Sequence, residues 1–265
     1  MSILKRSLAP ITDAAWEEID SLARETLTAN LSARRFVDVS GPHGLSFTSV
    51  DLGRLELVHD SKDGTVGYGT YKVQPLVEAR IGFTLDIWEL DNIERGARDI
   101  DMDSLVAAAA KMAAFEENAI YNGLKAGEIT GLKEAASGDT IPIKMNNDSL
   151  IDSLAEAQER MHAAGVEGGA DLIVSPDLWK FLNRVSPGGS LKKLVERQIE
   201  GSVIRSEQLD GALLYANRGG DAELILGQDI SVGYHNHTAQ EVSLFFTESF
   251  TFRVLAPEAL ICFSL

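Results

Sequence analysis

Cysteine is all but missing from this chain. The single thiol, Cys262, excludes an intrachain disulfide framework. Its setting, Leu260-Ile261-Cys262-Phe263, reads as a small buried hydrophobe rather than a nucleophile, and a reducing cytoplasm suits it. Positive charge is scarce as well. Lysine and arginine number 24 against 40 acidic residues, a net charge of −16 that opposes attraction to phosphate backbones and anionic lipid. Neither nucleic acid nor membrane is therefore an expected partner. No window approaches the roughly 20 apolar residues of a membrane span. The basic start, Met1-Ser2-Ile3-Leu4-Lys5-Arg6, is broken by Ser7 and Pro10 before any apolar stretch that a signal peptide needs. Catalytic signatures are missing too: there is no G-x-S-x-G elbow, H-E-x-x-H or P-loop, and Gly64, Gly67 and Gly69 are wrongly spaced for a dinucleotide loop.

What is present is enough apolar content, 45% of 265 residues, for one large core or two coupled domains. Thr12 is placed to cap a helix whose apolar stripe runs through Ala15, Trp16, Ile19, Ala23, Leu27 and Leu31. Residues 45–76 alternate weakly around His59-Asp60-Ser61-Lys62-Asp63-Gly64, which predicts a long hairpin with too little core to stand alone. A spine helix is predicted over 104–125, stopped by Gly127. Helices over 149–162, 178–185 and 191–199 with a strand at Leu172-Ile173-Val174 make the middle segment a compact α/β unit. Beyond Ala212 strands dominate. Leu213–Ala216 and Leu224–Leu226 read as a hairpin around Arg218-Gly219-Gly220-Asp221, and Ile230, Val232 and Tyr234 share one strand face. Val242 to Phe246 and Phe250 to Val254 alternate likewise, and the apolar end, 259–265, belongs in the core.

Metal and catalytic constellations are weak. His235 and His237 share a strand face without a third ligand fixed nearby, and Glu159 and His162 form one copy of a pattern that di-iron bundles need twice. Glu116-Glu117 reads as an exposed helix face. No metal site, catalytic residue or obligatory cofactor is expected.

Four separated stretches carry a resemblance: LKRSLAPIT at 4–12, FTLDIWELDNIERG at 83–96, ILGQDISVGY at 225–234 and FTESFTFRVLAPEAL at 246–260. With Arg34-Arg35-Phe36-Val37-Asp38 and the Arg218–Asp221 turn, in matching order and spacing, the chain resembles the encapsulins, also called the linocin or bacteriocin-like family, from end to end. The resemblance implies an α+β, tailed-phage capsid fold. Its peripheral domain would comprise 1–44, 77–126 and 219–265, with an extended loop at 45–76 and an axial domain at 127–218. It implies a large closed homo-oligomer, an icosahedral cytoplasmic shell rather than an enzyme. Such a shell encloses a cargo enzyme bearing a short targeting peptide, commonly a ferritin-like iron oxidase or a dye-decolorising peroxidase, for iron storage or protection from oxidative stress. A phage major capsid protein and a protease or bacteriocin-type enzyme are the alternatives, the first distinguished by DNA inside the particles.

Three sites are implied. Cargo peptide would bind where Leu27, Leu31, Arg34 and Asp38 face Ile230, Val232 and Tyr234. Arg184, Val185, Ser186, Pro187, Gly188, Gly189 and Ser190, a Gly/Pro-rich tip between helices, would line a pore. Flavin, if bound, would stack on Trp88 with Arg80 adding charge.

Overall fold

A computed structural model describes residues 3–59, 66–136, 138–186 and 189–265. The first helix, α1 (Asp13–Asn30), begins where the Thr12 hydroxyl accepts a hydrogen bond from the Ala15 amide at 3.2 Å. Ala15, Ile19 and Ala23, four residues apart, are buried. They pack on a four-stranded sheet whose order is β1 (Asp38–Ser40), β11 (Ala222–His237), β12 (Glu241–Val254) and β4 (Val77–Asp86). Between α1 and this sheet's second flank lie α2 (Ile87–Glu94) and the spine helix α3 (Asp103–Asn122), which share one core with Phe83, Leu85, Val232, Leu244 and Phe246. The two predicted strands over 242–254 are one continuous strand, because Phe246 and Phe250 keep the same parity across the polar residues between them.

The spine helix stops at Asn122 and not at Gly127. Gly123 has φ +82°, and its amide still bonds the Ala119 carbonyl, so the left-handed turn comes one helical turn earlier than the sequence suggested. A Cβ there would sit 2.8 Å from the Ile129 oxygen.

The second sheet has five strands: β5 (Ile141–Pro142), β13 (Leu260–Ser264), β10 (Ala212–Ala216), β6 (Ala170–Val174) and β9 (Val203–Arg205). Helices α5 (Asn147–Ala163), α6 (Pro176–Leu182) and α7 (Leu191–Ile199) share its main core with Leu172, Val174 and Leu214. The short α4 (Leu132–Ala135) and the last turn of α3 pack in a separate cluster that joins the two sheets through Leu213, Tyr215, Leu224, Phe250 and Phe252.

Three expectations change here. β10 and β11 do not form a hairpin: β13 and β6 already flank β10 on both edges, and all five of its residues are buried. The Arg218–Asp221 turn instead carries the chain from one sheet to the other. The C-terminal strand pairs within the five-stranded sheet, away from the 219–254 strands that precede it. Helix α6 ends at Leu182, and Val185–Ser186 (β7) pairs with Gly189–Ser190 (β8) as a small ribbon.

The predicted long hairpin is present as β2 (Ser49–His59) and β3 (Tyr68–Pro75), which among the described residues pair only with each other. Its tip, 60–65, lies outside the described residues. Leu55, Leu57, Val58, Tyr68, Tyr71 and Val73 are exposed along it.

Candidate functional site

Where α1 ends, the chain turns sharply through a 3-10 turn at Ala33–Arg35 and enters β1. Between this elbow and β11 opens a groove of about 840 Å³. Of the seven residues expected around a peptide site, the structure brings five to it: Leu27, Leu31, Arg34, Ile230 and Val232. Leu31 and Val232 are mostly covered, so the apolar surface offered outward comes chiefly from the half-buried Leu27 and Ile230.

The other two lie elsewhere. Asp38 has passed the elbow onto β1, where its carboxylate accepts the Gly220 amide at 2.5 Å and ties down the turn between the sheets. Tyr234 is buried; its amide donates to the Leu4 carbonyl at 2.7 Å and its hydroxyl lies 2.6 Å from His237 Nδ1. It anchors the N-terminal segment against β11 instead of facing the groove. The register shift between Tyr234 and Asn236 brings His237 to that hydroxyl, so the alternation expected to pair His237 with His235 is broken. Among the described residues no group of three or more His, Cys, Asp or Glu side chains is arranged to hold a metal.

Arg34 is the electrostatic centre. Its Nε donates to Glu116 at 2.8 and 3.2 Å, Nη1 to Asp229 at 2.9 Å, and Nη2 to Glu116 at 2.5 Å and to Glu248 at 2.8 Å. Glu116 and Glu248 are fully buried. Burial works against the guanidinium charge, but the Glu116 hydrogen bond and charge, then Glu248 and Asp229, outweigh it and hold Arg34 protonated. Beside it, Glu117 accepts the Ala33 amide at 2.7 Å and the Ser32 hydroxyl, and that hydroxyl is 2.8 Å from the Tyr121 hydroxyl. Burial pushes the Glu117 carboxyl up to about 7, with those hydrogen bonds pulling the other way.

The exposed helix face expected at Glu116-Glu117 is thus wrong: both are buried and bind the elbow to α3. A sequence signal existed. Glu116 stands four residues after Met112 and four before Ile120, inside the apolar stripe. Glu248 likewise shares parity with Phe246 and Phe250. A charge on a stripe of that kind needs an internal partner, and Arg34 supplies it.

At the groove's rim Arg6 is neutralised by Asp20 at 2.7 and 2.9 Å and lies over the Trp16 ring at 3.9 Å. The Arg24 and Arg35 side chains also line the groove and make no ion pair or hydrogen bond among the described residues. Four arginines and two aspartates line the groove, and Arg24 and Arg35 are the two whose side chains are left without an acidic partner among the described residues.

The remaining expected sites are separate. Trp88 is exposed in the first turn of α2, with Arg95 5.6 Å above its ring. Arg80 packs over Phe245 at 4.4 Å and pairs with Glu78 at 3.2 Å. Six residues of β4, about 20 Å of strand, separate Arg80 from the Asp86 cap beside Trp88. These residues do not fit one flavin-stacking site within a single chain. In the expected pore loop Arg184 lies 5.6 Å over Phe181 and the Ser190 hydroxyl donates to the Leu182 carbonyl at 3.3 Å. Val185–Ser186 and Gly189–Ser190 form the ribbon, and Pro187 and Gly188 lie outside the described residues.

No described helix is long and apolar enough to cross a membrane. The family model described as an encapsulating protein for peroxidase matches residues 1–251. The type 1 encapsulin shell protein of Rhodospirillum rubrum is 40% identical, over 98% of this chain and 95% of its own. That of Mycobacterium tuberculosis is 34% identical over the whole of both chains. Among solved structures, the virus-like particle from Pyrococcus furiosus superposes with a TM-score of 0.65 at 18% identity, covering 92% of this chain and 97% of the other. The capsid of Myoviridae phage XM1 gives 0.59 at 11% identity, over 89% and 92%. The α+β architecture is that of the phage capsid fold, and the chain belongs to the encapsulin family, whose members are shell proteins and not enzymes.

Proposed function

We propose that copies of this chain close into a hollow shell and that the groove at the α1 elbow holds a short extended segment of an enclosed protein. The observation that carries assembly is the β2–β3 ribbon. Among the described residues it pairs with no other strand of its own chain and exposes leucines and tyrosines that an isolated ribbon cannot bury. A neighbouring copy is the occupant that the family supports. Closed symmetry from one repeated interface needs on the order of 60 copies at the smallest icosahedral size.

For the groove, Leu27 and Ile230 suit two aliphatic anchors, each contributing roughly 1.5–3 kcal/mol on full burial. The unpaired Arg24 and Arg35 suit a carboxylate beside those anchors. Weak single-segment binding suffices when an oligomeric cargo presents several. The family description names a peroxidase as the enclosed protein, which favours that cargo class over an iron oxidase. The β7–β8 ribbon remains our candidate for a pore rim, and the lone Cys262 is compatible with the cytoplasm.

Two substitutions separate the parts of this reading. Leu57→Asp, on the exposed ribbon, is expected to leave secondary structure intact and abolish closed particles in electron micrographs. Ile230→Asp is expected to leave particles intact and lower the ratio of co-expressed peroxidase to shell by at least tenfold. Normal particles from the first variant, or full loading in the second, would overturn the corresponding half.

A further inference from the structure

The wall of the groove is fixed from behind by a carboxyl pair that no apolar packing requires. Glu248 Oε1 accepts from Arg34 at 2.8 Å, whereas Oε2 is buried with no hydrogen-bond donor near it. Glu116 and Glu248 both accept from Arg34 Nη2, at 2.5 and 2.8 Å, so two fully buried carboxylates meet at one nitrogen. Two carboxylates cannot bond each other, so the arrangement closes only if one carries a proton. A proton on Oε2 also turns the orphaned acceptor into a donor. With it, two anions, Glu116 and Asp229, face one guanidinium; without it there are three, two of them fully buried.

The groups facing Glu248 come from every neighbouring element. The elbow supplies Arg34, α3 supplies Glu116 with Glu117 beside it, and β11 supplies Asp229. On β4 the register partner is Ala79, which does not titrate. Burial, followed by the Glu116 charge, holds the Glu248 carboxyl well above its ordinary value, in keeping with a retained proton.

We propose that Glu248 is a positioning residue for the groove: sharing a proton with Glu116, it holds Arg34 and the 31–35 elbow against α3, and losing that proton loosens the groove wall. The elbow is the element able to yield, because Glu116 and Glu248 sit on a long helix and a central strand, while the 3-10 turn is short. The closed wall binds the extra proton, so opening is favoured as pH rises, about tenfold for each unit above the pair's titration. The consequence for capture rests on the groove reading above; the loosening of the wall does not.

The test is hydrogen exchange on assembled particles from about pH 6 to pH 9, corrected for the intrinsic pH dependence of exchange. In the wild type, protection at the Leu31, Ala33 and Val37 amides should fall by up to tenfold per unit in the upper range, with β10 unchanged. Because Glu117 titrates in the same range and holds the Ala33 amide, the comparison is made in the Glu117→Gln background, where the slope should persist and adding Glu248→Gln should flatten it, since its amide accepts from Arg34 as the protonated acid does and has no proton to lose. No slope in Glu117→Gln particles, or the same slope after Glu248→Gln is added, overturns the proposal. Should that variant fail to assemble, infrared difference spectra of Glu117→Gln particles decide. A protonated-carboxyl absorption persisting at about pH 8 supports the proposal, and its absence overturns it. Retained peroxidase loading across a pH range in which the wall loosens would refute the groove reading and leave the proton linkage standing.

Discussion

Replacing Arg34 by Met removes the only cation of the buried cluster while keeping a side chain of similar length. Its two innermost partners, Glu116 and Glu248, have no exposed surface, and Arg34 itself is 19% exposed. Stripping one partner from a buried pair typically costs about 3–5 kcal/mol, because the remaining charge stays uncompensated. The cheapest relief is for a buried glutamate left without its cation to take up a proton. From an ordinary value near 4.3, that costs about 3.7 kcal/mol at pH 7 and about 1 kcal/mol at pH 5, at 1.36 kcal/mol per unit. The variant's folded state therefore binds a proton that the unfolded state releases, and its stability is lost as pH rises from about 4.3. For a chain of this size each kcal/mol moves the melting temperature by roughly 2–4 °C. Scanning calorimetry of particles at matched concentration should show a deficit of about 7–15 °C at pH 7 that shrinks to about 2–4 °C at pH 5. A deficit that is absent at pH 7, or equal at both values, would refute the claim that Arg34 neutralises buried carboxylates.

Glu117, raised to about 7 in the fold, gives the wild type a slope of its own. Its contribution is fully present below about 4.5 and is lost as pH climbs through 7, a change on the order of 3 kcal/mol. Glu117→Gln should melt with a smaller pH dependence between pH 5 and 8, because the amide can still accept from Ala33 and bond Ser32. Asp38→Ala should cost about 1–2 kcal/mol in calorimetry through loss of the Gly220 bond, while the cargo-to-shell ratio stays that of the wild type. Reduced loading in that variant would return Asp38 to the groove.

Local pattern was enough to find α1, α3, α5, α7 and the β2–β3 ribbon, because each pairs a cap or turn with a strong period. The exact span of α7, Leu191–Ile199, was legible for that reason. Pairing was not. β10 and β11 are adjacent in sequence with a good turn between them, yet β10 is claimed by β13, some 45 residues later, and nothing local to 212–226 encodes that competition. Helix ends failed where two glycines were available: α3 ends at Gly123 because the Leu124–Ile129 bridge brings the Ile129 oxygen to where a Cβ would sit, which local pattern does not show. Of the seven groove residues that the resemblance implied, five line the groove, and helix spacing and strand parity account for four of them, Leu27, Leu31, Ile230 and Val232. Asp38 and Tyr234 could not be excluded, since the elbow's direction and the bulge after Tyr234 are set by packing and register. The acidic pair was readable in principle, as charges on an apolar stripe. Its cation, some 80 residues away, was not.

The placement of β13 has a temporal meaning. β5 finds its hydrogen-bonding partner at Phe263–Ser264, roughly 120 residues further along, and β10 has one bare edge until Leu260–Phe263 arrive. At about 5–20 residues per second of synthesis, the five-stranded sheet waits on the order of 6–24 s after Ile141 emerges before it can be completed. During that interval an apolar strand edge is open in the same molecule whose β2–β3 ribbon, which we propose meets other copies, is finished long before. A chain that docks through its ribbon too early would carry an unfinished sheet into the assembly. The late strand thus makes completion of the monomer and commitment to neighbours two separately timed events, and the order in which they occur sets the fraction of chains that end in well-formed particles.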